Sequence, residues 1–368
     1  HGNTVTRHIA YAERVGQMSV IVYNPASAPK SVTHLSDRLA VYPTNVPTPY
    51  LFPFAAFWCG VRVHRQQRAD LITTQDPFAT GLIGLLLKWA LRIPLNVQSH
   101  SHFFENPDWV AERPLRNRAL LTIGKFVVKR ADTLRVLSER EKMICVRLGV
   151  APRRIIVLTA PTDVGSFAPP VAPERIAELR RGLGIAPDAP VLLWVGLPTH
   201  AKNVDLLLEA YCAVCATHPQ ARLVMVGDFA GRPDFARRAQ AKGVILPGRV
   251  DYASLPAYYQ MAALYVHSSR YEGVPRVLME ALAAGTPVVA TDHLGAAEVV
   301  RHGETGLLTP QTPDALAEAV IALLDDPERA RAIGAAGQRD VLERFDYERQ
   351  LDRVAETYRE TLRIAEQL

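Results

Sequence analysis

The stretch "SSRYEGVPRVLMEALAAGTPVVAT" (Ser268–Thr291) holds two glutamates with seven residues between them. Glu272 precedes a Gly-Val-Pro turn, whereas Glu280 falls among Val277, Leu278, Met279, Ala281 and Leu282, which otherwise look like core. A buried ionised carboxylate costs on the order of several kcal/mol unless it is hydrogen-bonded, and paired ribose hydroxyls would supply such bonds. "ALYVHSS" reads as a buried strand, so Glu272 should emerge at its carboxyl end, the edge where open α/β sheets bind ligands. Gly273, Val274 and Pro275 then begin a helix ending near Gly285, with proline in the first turn, where it is best tolerated. The free N–H groups and partial positive charge of that helix end suit a phosphate. A second candidate pair, His100 and His102 in "NVQSHSHFF", falls on one face of a strand; with no third ligand nearby, metal binding is not expected there.

These residues need a scaffold that brings strand ends together. From Pro190 onward short Val/Ile/Leu runs alternate with helical runs: "PVLLWVG" with "NVDLLLEAYCAV", "ARLVMVGD" with "PDFARRAQAKG", "GVILPG" with "LPAYYQMA", "ALYVHSS" with "PRVLMEALAAG", "TPVVAT" with "AAEVVRHG". That rhythm predicts a parallel sheet covered on both faces, a doubly wound α/β domain. The amino-terminal half repeats it less clearly, with strands expected at "MSVIVYN", "RADLITTQ", "PLNVQSH", "DTLRVLS" and "RIIVLTA". We expect an N-terminal domain over 1–168, a Pro/Ala-rich linker over 169–188, a C-terminal domain over 189–345 and a final amphipathic helix over 346–368 that could pack on the other domain. No strand precedes the first helix, which leads us to read His1, Gly2 and Asn3 as the end of a loop, with Asn3 or Thr4 as the helix cap.

The 368 residues exceed what one core usually supports, and 48% hydrophobic with 21% charged residues describes a globular chain. Charge is uneven: residues 1–168 hold 21 Lys+Arg against 11 Asp+Glu, and the remainder 21 against 26. The basic half suits an anionic surface or substrate, and "AERPLRNRALLTIGKFVVKRADTLRVLSEREK", with Arg113, Arg116, Arg118, Lys125, Lys129 and Arg130, is consistent with an amphipathic helix at an anionic bilayer. No interleaved aromatic-basic pattern points to nucleic acid. The longest apolar run, Gly81 to Leu95, is interrupted by Lys88 and Arg92, so no transmembrane segment is expected. Four cysteines make no disulfide framework, which points to a reducing, cytoplasmic setting. Cys212 and Cys215 form a C-x-x-C in a helical run, read as buried helix packing rather than a zinc or redox site.

The segments "VGLPTHAKNVDLLLEA", "ARLVMVGD", "VILPGRVDYASLPAYYQMAALYVHSSRYEGVPRVLMEALAAGTPVVATDHLGAAEVV" and "GETGLLTP" resemble the nucleotide-sugar-binding domain of family 4 glycosyltransferases. These have the GT-B fold, two Rossmann-like doubly wound domains facing across a cleft. "RADLITTQDP", "NVQSHSHFF", "LSEREK" and "VLTAPTDVGSF" extend a weaker resemblance over the N-terminal half. The resemblance implies that Glu272, with the backbone of Gly273, Val274 and Pro275, holds hydroxyls of the donor sugar, that Glu280 holds the nucleotide ribose, and that Lys202 neutralises the diphosphate. Gly196 and Arg249 complete the donor set. It favours His100 as the histidine near the reactive carbon and matches Asp163 to an interdomain aspartate, although Ala160 and Pro161 replace the usual Asn and Gly before it. Where many members carry an arginine after the equivalent of Gly196, this chain has Leu197; Arg276 is a candidate substitute, or faces solvent.

The implied activity is transfer of a hexose, with retention, from a nucleotide sugar such as a UDP-sugar to a hydroxyl of a glycan, lipid-linked or small-molecule acceptor. No D-x-D motif occurs, so neither a metal nor another cofactor is expected. A GDP-mannose-dependent mannosyltransferase, a GT-B sugar-nucleotide epimerase and a non-catalytic nucleotide-sugar-binding subunit remain alternatives. The basic half leaves room for peripheral contact with the cytoplasmic face of a membrane.

Overall fold

The computed structural model describes residues 4–28 and 31–367; the loop reading of residues 1–3 and the cap at Asn3 lie outside them. The chain divides into two compact units, His1–Pro161 with Glu348–Leu368, and Thr162–Tyr347.

In the first unit α1 (Thr4–Val15) leads into a small sheet of β1 (Met18–Val22), β2 (Thr33–Ser36) and β3 (Leu39–Pro43), ordered β1-β3-β2. β2 and β3 were not expected from sequence: β2 is a polar, largely exposed "THLS" that lacks an apolar face. Next come α2 (Phe52–Gln67), β4 (Ile72–Thr74), α3 (Ala79–Leu91), β5 (Leu95–Gln98), α4 (Pro107–Glu112), α5 (Pro114–Val128), β6 (Thr133–Val136), α6 (Glu139–Arg147) and β7 (Ile155–Val157). β4 to β7 form a parallel sheet in chain order. The basic run around α5 is thus two helices flanking a buried strand rather than one helix. Both α2 and α3 stop at an arginine in the left-handed region, Arg68 (φ 53°) and Arg92 (φ 58°).

The second unit opens with α7 (Pro173–Gly182), which packs on α10 (Leu255–Met261), so the stretch 169–188 read as a linker contributes a helix to this unit. The strands are β8 (Val191–Val195), β9 (Arg222–Val226), β10 (Ile245–Gly248), β11 (Leu264–His267), β12 (Val288–Thr291) and β13 (Leu307–Thr309), all parallel, in the order β10-β9-β8-β11-β12-β13. Between them run α8 (Val204–Thr217), α9 (Pro233–Ala241), α11 (Arg276–Ala283) and α12 (Leu294–Val299), and α13 (Pro313–Asp325) and α14 (Pro327–Arg344) follow. β8 shows why the sheet is covered twice. Its five residues are all buried, and alternation sends Leu192 and Trp194 into one core and Val191, Leu193 and Val195 into the other. Cys215, half-buried on α8, packs against the core, whereas Cys212 is exposed, so the buried packing expected of the C-x-x-C holds for one of its two cysteines.

The last helix, α15 (Tyr347–Glu366), belongs with the first unit. The strands beneath it carry polar residues at alternate positions, Asn96 and Gln98 on β5, Thr133 and Arg135 on β6, all buried. Asn96 donates to the Thr133 hydroxyl at 2.8 Å, and Thr133 meets Thr361 of α15 at 2.7 Å. Gln350 donates to Thr159 at 3.1 Å, and Arg14 of α1 pairs with Asp352 at 2.7 Å. Such polar strand positions need partners once buried, and α15 provides some of them.

Candidate active site

The second sheet reverses its winding between β8 and β11, with β9 and β10 to one side and β12 and β13 to the other. At such a point the loops leaving adjacent strand ends part and open a hollow. The loop after β8 carries Gly196 and ends in a 3-10 turn, His200–Lys202. Asn203 then turns the chain into α8 with a left-handed φ of 47°, a conformation asparagine adopts more readily than most residues. The loop after β11 is tied to this turn. The Ser268 hydroxyl donates to the Lys202 carbonyl at 2.8 Å, the Arg270 amide to the Ala201 carbonyl at 2.7 Å, and the Arg270 guanidinium to Asn203 at 2.9 Å.

The ties bring Lys202 and Glu272 together. Lys202 Nζ is 2.8 Å from both Glu272 oxygens, with side-chain exposures of 16% and 20%. Ser269 donates to Oε1 at 2.6 Å, and His267 Nε2 stands 2.9 Å from the same oxygen. Burial opposes charge on Glu272, but Lys202 and then His267 outweigh it and hold the carboxyl well below its usual range. Burial also pushes the fully buried His267 imidazole down, against the pull of Glu272. His293 Nδ1 accepts from the Ala296 amide at 3.3 Å and caps α12. Ligand-type atoms of His267, Glu272 and His293 lie within 4.8 Å of one another. A metal ion there would have to share Glu272 with the Lys202 ammonium, whose charge opposes a dication.

Pro275 occupies the N-cap of α11, one position before the helical turn in which the sequence placed it. The turn preceding it is set by main-chain packing: a Cβ on Gly295 would lie 1.7 Å from the Gly273 carbonyl oxygen, so only glycine lets α12 approach so closely. Glu280 is 4% exposed on α11. Tyr259 donates to its Oε2 at 2.9 Å and Tyr252 faces Oε1 at 3.3 Å. The bonds assigned to ribose hydroxyls are thus met in part by tyrosines, although each carboxylate oxygen retains a further acceptor position. Burial pushes the Glu280 carboxyl up, against the hydrogen bond from Tyr259 and the charge of Arg276.

The remaining positions are more dispersed. Arg276 is exposed on the first turn of α11, Arg249 is exposed just past β10, and Leu197 is 58% exposed beside Gly196. Val274 is half-buried. Asp163 closes a local turn, accepting from the Ser166 amide at 3.3 Å. In the first unit His100 follows β5 and meets Gln75 at 3.0 Å; burial, then the charges of Arg135, Arg7 and His8, push its imidazole down to about 4. Burial pushes His102 down too, opposed by its hydrogen bond with the Phe104 backbone and then by Glu105. Sequence reasoning missed His267, Ser269, Tyr252 and Tyr259 as partners of the glutamates. The available signals were "HSS", which two residues separate from Glu272, and the "YY" pair on the helix before β11.

Comparison with known proteins agrees with this architecture. The profile described as "Glycosyl transferases group 1" matches residues 175–340, and "Glycosyl transferase 4-like domain" matches residues 3–161. The chain is 31% identical over 299 residues to the D-inositol 3-phosphate glycosyltransferase of Thermobispora bispora, covering 77% of this chain and 69% of that protein. It is 29% identical over 261 residues to the alpha-D-kanosaminyltransferase of Streptomyces kanamyceticus, covering 68% and 66%. Among solved structures it is similar to sucrose-phosphate synthase from Thermosynechococcus elongatus, with a TM-score of 0.80, 25% identity and coverage of 98% and 93%. It is also similar to Anabaena HepE in complex with UDP, with a TM-score of 0.71, 24% identity and coverage of 87% and 85%. Matched in both halves, and sharing its two doubly wound units with these structures, the chain belongs to family 4 of the GT-B glycosyltransferases.

Proposed function

We propose that the protein is a retaining, metal-independent hexosyltransferase using a UDP-sugar and a hydroxyl acceptor. The observation that carries this reading is the Lys202–Glu272 pair at the β8/β11 switch point, beside the amino end of α11. In this reading the diphosphate takes up the Lys202 ammonium together with the free amides opening α11. Glu272, held ionised and aimed by Ser269 and His267, accepts hydrogen bonds from the sugar hydroxyls. Glu280, at the far side of the same turn, accepts from the ribose. The bond between the anomeric carbon and the phosphate oxygen breaks, the acceptor oxygen bonds to that carbon on the same face, and the acceptor proton passes to the departing phosphate. Lys202 stabilises the charge that develops there; electrostatic contributions of this kind are typically worth about 3 to 4 kcal/mol.

UDP is preferred because HepE was solved with it; the name of one relative suggests a small polyol phosphate as acceptor, and inositol 3-phosphate is a first compound to try. The lysine already seated on both Glu272 oxygens supports independence from a metal. Leu197, in place of a cation, favours one second reading, a nucleotide-sugar-binding subunit that does not catalyse. Thermal stability against UDP, GDP, ADP and their sugar conjugates tests the donor, since a ligand at about 100 times its dissociation constant adds about 2.7 kcal/mol. UDP should stabilise the wild type and not Glu280→Ala. Binding without transfer or slow donor hydrolysis would select the non-catalytic reading, and no binding by any nucleotide would reject both.

A further inference from the structure

Of the fifteen exposed large hydrophobic side chains among the described residues, only Leu197 lies in the second unit. The others are in the first, and many gather on three helices that pack side by side, α2 on α3 and α3 on α5. On α2, Leu51 just before its start, Phe54 and Trp58 are 45%, 71% and 67% exposed and fall at helical spacing on one stripe, which Arg62 and Arg65 continue. On α3, Leu86 and Trp89 are 43% and 51% exposed. Trp89 meets Phe126 of α5 edge to face, with 6.4 Å between centroids, and the Arg130 guanidinium lies 3.9 Å above the Phe126 ring. None of the three helices contains an aspartate or glutamate, although each carries lysine or arginine.

Exposed apolar side chains gathered on helices that pack together mark an interaction site, and these have a particular chemistry. Tryptophan and phenylalanine beside arginine and lysine, on helices without a carboxylate of their own although Lys88 of α3 pairs with Asp132 at 2.6 Å, match a headgroup layer in which rings enter the boundary and cations meet phosphates. Arginine can keep its head at the phosphates while its stem lies along apolar surface. A two-fold contact with a second copy would oppose Arg62 and Arg65 to like charges, which disfavours that occupant. We propose that the outer face of α2, α3 and α5 docks on an anionic lipid bilayer, with Phe54, Trp58, Trp89 and Phe126 entering the headgroup boundary and Arg62 and Arg65 bound to lipid phosphates.

Co-sedimentation of the full chain with phosphatidylcholine vesicles, with and without about 30% phosphatidylglycerol (a strongly anionic surface), tests this. The wild type should bind the anionic vesicles, weaken with salt, and show quenching of tryptophan fluorescence by brominated lipid. Phe54→Ser/Trp58→Ser and, separately, Arg62→Gln/Arg65→Gln should each lower partitioning at least about tenfold while nucleotide binding and the far-ultraviolet spectrum stay as in the wild type. All four residues lie in the first unit and none belongs to the candidate nucleotide site, so loss of membrane binding and failure of the transferase reading are separable. Absence of vesicle binding, binding unaffected by either double variant, or a concentration-dependent oligomer that the same variants abolish would each overturn the proposal.

Discussion

Replacing Lys202 with methionine keeps the length of the side chain and removes the cation facing Glu272. With Nζ at 2.8 Å from each oxygen, the gross attraction at an effective dielectric constant of about 20 is about 6 kcal/mol. Roughly half of this is cancelled because the wild type must desolvate the ammonium and methionine need not. Glu272 keeps its bond from Ser269 and the nearby His267 imidazole, and His267 gains a proton more easily once a neighbouring positive charge has gone. The expected loss of stability in the second unit is about 3 kcal/mol, the lower end for a buried pair broken on one side. Glu272→Gln should cost a similar amount because it strands the lysine. The double variant Lys202→Met/Glu272→Gln should then lose much less than the sum, with a coupling energy of about 2 kcal/mol or more. Hydrogen exchange at the amides of β8 and β11, measured on all four proteins, reads the local free energy directly. Additivity within about 0.5 kcal/mol would show that the pair contributes nothing as a pair, and the electrostatic account of the site would fail.

Three further outcomes follow from the same geometry. Glu280→Gln should leave the fold at least as stable at neutral pH, because burial already raises that carboxyl, yet weaken nucleotide binding measured by calorimetry about tenfold or more, as expected for loss of hydrogen bonds to a charged acceptor; unchanged affinity would exclude Glu280 from the site. Glu141, raised by burial from 4.5 to about 7, contributes stability that is fully present below about pH 4.5 and is lost as pH rises through 7. The first unit should therefore weaken by about 3 kcal/mol across that window, and Glu141→Gln should flatten the pH dependence seen in urea titrations. Activity should survive EDTA, and added zinc should not inhibit through His267, Glu272 and His293, because the Lys202 ammonium already holds both Glu272 oxygens; loss of activity in EDTA restored by one metal would refute the metal-independent reading.

What could be read from sequence depended on whether a residue's partners lie near it in the chain. β8, β9, β11 and β12 were visible because fully buried parallel strands are continuous Val/Leu runs. β2 has no apolar face and β13 is three residues long, so neither leaves a periodic trace. Glu272, Glu280 and Lys202 were picked out by spacing and by resemblance, and the structure brings Lys202 onto Glu272. The partners of the glutamates were not visible. His267 points to Glu272 only because β11 ends beside β8, and Tyr259 reaches Glu280 only because α10 packs against α11. The exposed stripe on α2 was also hidden, since Phe54 and Trp58 sit in a run whose apolar residues all look like core until the helix's buried side is known.

Membership of α15 in the first unit has a consequence for synthesis. Thr133, Thr159 and Arg14 find partners at Thr361, Gln350 and Asp352, which leave the ribosome after residues 162–347. The second unit has all of its residues, 162–347, before then. The usual order, in which amino-terminal domains finish folding first, is reversed here for the last step. Until α15 is made, the first unit holds Thr133 and Thr159 without those partners, and its closure has to follow synthesis of the second unit.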